Sequence, residues 1–121
     1  MTKEQTIATV EQEFDALCGK YNVTDWMLGF VNRRRGKCYY RQNLITVPEW
    51  AFQHGHDFVL QYMLHEFAHI LTRGHGHDSF FLAKEDELCV RYGMLLIRGR
   101  AYVQVIFRHG KKVFDRQETP L

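Results

Sequence analysis

The sequence predicts a single α+β domain over residues 1–121. Three observations carry this expectation. Apolar residues recur at helical spacing near the N-terminus and again through the middle of the chain. Between and after these segments lie short apolar runs bounded by turn residues, the pattern of strands. Four of the seven histidines fall between His65 and His77, where one predicted helix gives way to the next. At 121 residues, 45% hydrophobic and 25% charged, the chain has the make-up of an ordinary globular domain. It is long enough to bury a core without disulfides.

The elements follow in order. From Lys3 to Cys18 the residues Ile7, Val10, Phe14, Leu17 and Cys18 mark one face of an amphipathic helix, with Gly19 as its stop. Trp26–Val31 reads as a strand, Asn32–Gly36 as a polar turn, and Lys37–Arg41 as the returning strand of a hairpin. Leu44, Ile45 and Val47 make a third short strand, and the Pro48 that ends it suits a sheet edge. This gives a small three-stranded antiparallel or mixed sheet. A helical turn is expected over Pro48–Gln53, then a loop at His54-Gly55-His56. Asp57 is the expected N-cap of a helix over Phe58–Arg73, whose apolar face holds Val59, Met63, Phe67, Ile70 and Leu71. Gly74 ends this helix and His75-Gly76-His77 is a tight link. Asp78 or Ser79 then caps a helix running to about Tyr92, with Gly93 as its stop. Tyr102–Phe107, a turn at His109-Gly110 and Lys111–Phe114 form a C-terminal β-hairpin, and Arg116–Leu121 read as a frayed end.

A formal net charge of +2 is too small to argue for a nucleic-acid partner by itself. Cys18, Cys38 and Cys89 are odd in number and widely spaced, which indicates reduced, partly buried thiols and a reducing compartment. Met1–Val10 lacks the apolar centre of a signal peptide, and the apolar stretches are too short to span a membrane. A cytoplasmic monomer without a membrane partner is the resulting expectation.

The chemistry concentrates in His65-Glu66-Phe67-Ala68-His69. A helix advances about 3.6 residues per turn, so His65 and His69 stand one turn apart on one face, where two imidazoles can reach one metal ion. Glu66 projects beside that position and suits a base acting on a water held by the metal. A catalytic zinc site needs three protein ligands and an open position. The third is expected where the chain turns back at Gly74 and Gly76, and both His75 and His77 lie in that turn. His75 stands six residues after His69, the metzincin offset, but Thr72 occupies the position where metzincins have Gly. His77 opens the next helix and has Phe81 four residues on, placed to pack beneath the metal-binding helix.

With His65, Glu66, His69, Gly76, His77 and Phe81, the chain resembles the SprT-like and minigluzincin-type zinc metallopeptidases. Their pattern is an HExxH helix, a short turn and a Gly-His segment, or His-Asp-x-x-Phe, opening the next helix. The resemblance covers Ile45–Gly93 closely and the flanks by element order. Asp78-Ser79 replaces the common Pro-Glu, and no CxxC of a zinc ribbon follows. It implies a zincin-like fold with Zn2+ on His65, His69 and His77, and peptide hydrolysis with Glu66 as general base. It also implies a peptide or protein substrate adding as a strand to the sheet edge, here Leu44–Val47. Two alternatives use the same residues: a catalytically idle metallopeptidase-like regulatory module, and a DNA-associated SprT-type protease acting on DNA-bound proteins.

Other residues carry weaker expectations. Arg33-Arg34-Arg35 reads as a solvated turn. Arg98, Arg100, Arg108, Lys111, Lys112 and Arg116 make the tail basic, and with that turn they offer a candidate nucleic-acid surface. Tyr102 and Phe107 beside them read as core. His54 and His56 are loop residues. Among Glu85, Asp86 and Glu87, one is a candidate to hydrogen-bond a ligand histidine, or to replace His77 as ligand. Tyr62 and Tyr92 are candidates to polarise a substrate carbonyl.

Overall fold

The computed structural model describes residues 1–100 and 102–118. It is α+β, with helices packed around two separate three-stranded sheets. Helix α1 (Lys3–Lys20) begins at a reciprocal cap in which Thr2 and Gln5 satisfy each other's free backbone donors. It runs through Gly19, and the chain leaves it at Asn22, which takes a left-handed φ of 55°. The expected end at Cys18 is therefore two residues short. Val10, Phe14 and Leu17 point inward as predicted.

The first sheet corrects the expected topology. Strands β1 (Met27–Val31), β2 (Cys38–Tyr39) and β3 (Leu44–Pro48) lie in the order β1-β3-β2. β1 pairs with β3 in parallel, and β2 pairs with β3 antiparallel. The predicted β1–β2 hairpin does not form, because the turn after Val31 is drawn across the sheet and fastened to other elements. Trp50 Nε1 donates to the Arg34 carbonyl at 2.8 Å, and the Gly36 N–H donates to the Tyr62 hydroxyl at 3.0 Å. The Lys37 N–H donates to Thr46 Oγ1 at 2.9 Å, and the Thr46 N–H to the Lys37 carbonyl at 2.9 Å. Leu44–Val47 is consequently the central strand, with partners on both sides, and the expected free edge at that segment is absent. Pro48 marks the end of the ladder, where it opens a short 3-10 helix (Glu49–His54).

Gly36 is required by close approach. A Cβ there would stand 2.2 Å from the Thr46 carbonyl oxygen and 2.6 Å from the Tyr62 ring. Backbone cannot yield as a side-chain tip can, so Gly36→Ala is expected to destabilise the fold by about 3 kcal/mol, the upper range for overpacking. Thermal unfolding should show the midpoint falling by roughly 10 °C. An unchanged midpoint would mean that this loop is not held as described.

Helix α2 (His56–Leu71) is the centre of the molecule and touches α1, the 3-10 helix and both sheets. Its cap is Gly55 and not Asp57, which sits inside the first turn and pairs with Arg108. Phe58, Val59, Leu60, Met63, Leu64, Phe67 and Ala68 are all buried, so this helix is apolar around much of its circumference. Thr72 closes it, returning its hydroxyl to the Ala68 carbonyl at 2.7 Å. Helix α3 (Ser79–Arg91) is capped by Asp78, whose carboxylate accepts from the Phe81 N–H at 3.0 Å.

The C-terminal element is larger than the predicted hairpin. β4 (Met94–Arg98), β5 (Val103–Arg108) and β6 (Lys111–Asp115) form an antiparallel sheet in that order. Met94 and Leu96 enter the core, whereas Leu95 and Ile97 face outward at 61% and 46% exposure. Arg116–Glu118 are tied down, not frayed: Arg116 bonds the carbonyls of Gln104 and Val103, and Lys112 pairs with Glu118. The rest of that expected frayed segment, residues 119–121, lies outside the described residues. Tyr102 is exposed beneath the Arg116 guanidinium, contrary to the expected core position, while Phe107 is half-buried. All three cysteines are free, and burial pushes Cys18 and Cys38 up to about 11. Among the described residues no helix is long and apolar enough to cross a membrane.

Candidate metal centre

Helix periodicity brings His65 and His69 to the same side of α2, one turn apart. After Thr72 the chain reverses through Gly74 and Gly76, at φ values of 92° and 60° that favour glycine, and delivers His77 to the same point. Ligand nitrogens of His65, His69 and His77 lie within 4.8 Å of one another, and Nε2 of His69 and His77 stand 3.0 Å apart. Three imidazole nitrogens this close can hold one metal ion. A tetrahedral site with bonds of about 2.0–2.1 Å separates its ligand atoms by about 3.3 Å, so only small side-chain adjustments are needed.

His75 does not join the cluster. Its Nδ1 bonds the Asp78 carboxylate at 2.9 Å and its ring lies on Phe80. Alanine at His77 is expected to weaken divalent-metal binding by more than about a hundredfold, beyond the usual effect of losing an outer hydrogen-bond partner. Alanine at His75 should leave it unchanged. Calorimetric titration of both variants with zinc or cobalt checks this, and the reverse pattern would assign the third ligand to His75.

The rings are held from below. Phe81, on the first turn of α3, is fully buried and stacks on His69 with centroids 4.3 Å apart. Its other contacts are the rings of His65 and His77, at 5.0 and 4.9 Å. Burial of a Phe side chain contributes about 1.5–3 kcal/mol, so the same contact fixes the fold and the ligand orientation.

Electrostatics sort the histidines. The Glu85 carboxylate, 1% exposed, accepts from His65 Nδ1 at 2.7 Å, which leaves His65 Nε2 for the cluster. Burial disfavours protonation of His65, but the bond to Glu85 and the charges of Glu85 and Glu66 outweigh it and raise its pKa. His69 has no such partner. Burial, then the neighbouring charges of His65 and His77, push it down to about 4, and burial with the charge of His65 lowers His77. Glu85 is itself fixed by Gln61 Nε2 at 3.2 Å and Arg98 at 2.8 Å. Burial alone would raise its pKa, yet His65 and Arg98 hold it below the usual carboxylate range.

Glu66 is buried beside the cluster at 4% exposure. Burial pushes its carboxyl up to about 7, with Glu85 adding to the rise against the opposing charge of His65. This is the range in which a carboxylate exchanges protons efficiently at neutral pH. β2 lies next to it: Cys38 packs on the core, and the Glu66 charge is one of the influences on its thiol. Tyr40, just beyond β2, donates to the His69 carbonyl at 2.8 Å and ties this edge to the end of α2.

Of the three acidic candidates on α3, Glu85 alone reaches a cluster histidine. Asp86 pairs with Arg98, and Glu87 with Tyr21 and Lys84. The spacing Phe81–Glu85, one turn apart on the buried face, was the signal that distinguishes it. Gln61, one turn before His65, carries the same signal and went unread, as did Tyr40. Of the two tyrosines expected as carbonyl-polarising candidates, Tyr62 accepts from the Gly36 N–H, which leaves its own O–H proton to donate, and its ring stands 6.5 Å from that of His65, whereas burial and the Glu13 carboxylate raise the pKa of Tyr92. His54 sits among Trp50, Phe58 and Phe114, apart from the cluster, with burial and Arg116 lowering its pKa.

Three of the six cations expected to make the tail basic are neutralised within the chain. Arg98 pairs with Glu85 and Asp86, Arg108 with Asp57, and Lys112 with Asp115 and Glu118. No family model matches this chain, and no curated protein or solved structure matches it significantly.

Proposed function

We propose that this protein is a zinc-dependent metallopeptidase, with the ion held by His65, His69 and His77. The observation that carries the reading is the convergence of three imidazoles next to a buried carboxylate, Glu66, that belongs to none of them as a hydrogen-bond partner. A purely structural ion has no need of such a group. Nitrogen donors of this number suit zinc and leave one position free. When bound, zinc supplies a Lewis acid and brings the pKa of its water to about 7.

The residues then divide the work. Glu66 would take the proton of the attacking water as the new C–O bond forms, and would then give it to the amide nitrogen, so that the C–N bond breaks with a neutral amine as the leaving group. Glu85 keeps His65 in one tautomer and one orientation. Phe81 excludes water from beneath the three rings. The substrate chain is placed on the free edge of β2 and not on Leu44–Val47, because β2 is the outer strand beside Glu66. Main-chain pairing of that kind recognises an extended peptide.

Removal of the ion tests the reading. Cleavage of a denatured protein substrate should vanish on dialysis against a chelator and return on adding one equivalent of zinc. Cleavage that survives complete chelation would exclude the metal centre as its source.

A further inference from the structure

Resting on the peptidase reading, we infer that the preferred substrates are extended peptides carrying acidic side chains at alternate positions, selected by Arg33, Arg34, Arg35 and Lys37 beside the β2 edge. The four cations are exposed, and among the described residues none of them pairs with a carboxylate. Together with Tyr39 they line a shallow depression of about 330 Å³. This contrasts with Arg98, Arg108 and Lys112, whose charges are met within the chain. The loop is also held in place. Its backbone is fastened at Arg34 by Trp50, at Gly36 by Tyr62 and at Lys37 by Thr46, so binding need not order it first.

Strand geometry supplies the register. Successive side chains of a strand point to opposite faces. Cys38 packs on the core, so Lys37 and Tyr39 occupy the other face, the one with the depression. A peptide paired with β2 alternates in the same way. Every second side chain, spaced about 7 Å apart, falls on the cationic face, while the others fall on the opposite face, the one from which Cys38 packs on the core. A nucleic acid would use the cations but leave the unpaired peptide groups of β2 without partners, which is why the observations favour a peptide.

Binding is measured on zinc-loaded Glu66→Gln protein, so that no turnover intervenes. The probes are fluorescein-labelled extended peptides of one length with Glu, Gln or Lys at alternate positions, read by anisotropy. The Glu peptide is expected to bind about tenfold more tightly than the Gln peptide, as two or three exposed ion pairs would provide, and the Lys peptide more weakly than either. Adding Arg33→Gln, Arg34→Gln and Arg35→Gln together should erase the difference, and the three Lys replacements should keep it. The preference should also shrink between about 0.05 and 0.5 M salt. Equal binding of the Glu and Gln peptides overturns the inference but leaves the peptidase reading standing, since that reading is tested separately by the zinc dependence of cleavage in the wild type. Oligothymidylate binding that requires the arginines, with no binding of the Glu peptide, overturns it in favour of a phosphate-reading surface.

Discussion

Replacing Glu66 by Gln is expected to cut kcat/KM for peptide hydrolysis by about 10²–10⁴-fold, with bound zinc unchanged. That loss corresponds to about 3–5 kcal/mol of transition-state stabilisation. The substitution keeps the shape of a buried side chain and removes only its ability to accept and return a proton. Glu66 is well suited to that task because burial, reinforced by Glu85, pushes its carboxyl up to about 7. Kinetics and metal analysis on the same preparation separate the outcomes. A variant that keeps zinc and also keeps the wild-type rate would remove Glu66 from the mechanism. One that loses zinc would show that the residue supports the metal and not the proton transfer.

The second large effect belongs to Glu85. This carboxylate lies at the meeting point of α2, α3 and β4, holding His65, Gln61 and Arg98 at once. Glu85→Ala leaves three polar groups short of a partner, with Arg98 still facing Asp86. A cost of about 3 kcal/mol is expected, the lower end for breaking a buried pair from one side. Glu85→Gln retains an acceptor for His65 and should fold, but with zinc affinity reduced about 10–100-fold. Denaturant unfolding of the first variant and competitive zinc titration of the second measure these effects. Wild-type zinc affinity in Glu85→Gln would mean that His65 needs no orienting charge.

Both residues bear on what the sequence made legible. His65, Glu66 and His69 are tied to one another by helix geometry alone, so their relation is readable from five positions. His77 was readable because glycines on either side of His75 allow the chain to reverse, and because Phe81 follows at the interval that buries it. Non-local pairing was not readable. Strand β3 carries a terminal proline, a signal shared by edge strands and ladder ends, and it proved to be a central strand. β2 contributes only two residues, too few for an alternation to register, and its position depends on Gly36 meeting Tyr62 from a distant helix. β4 was hidden for a different reason. Leu95 and Ile97 are apolar on the outward face, so Met94–Ile97 shows no alternation between polar and apolar. With β4 unread, the partner that Arg98 brings to Glu85 was unread as well.

Anomalous scattering at the zinc edge, from crystals grown with one equivalent of the metal, tests the centre most directly. The account predicts one peak within about 2.0–2.1 Å of Nε2 of His65, His69 and His77, with the fourth position open toward β2. A peak elsewhere, or a fourth position closed by a side chain of the protein, would contradict it.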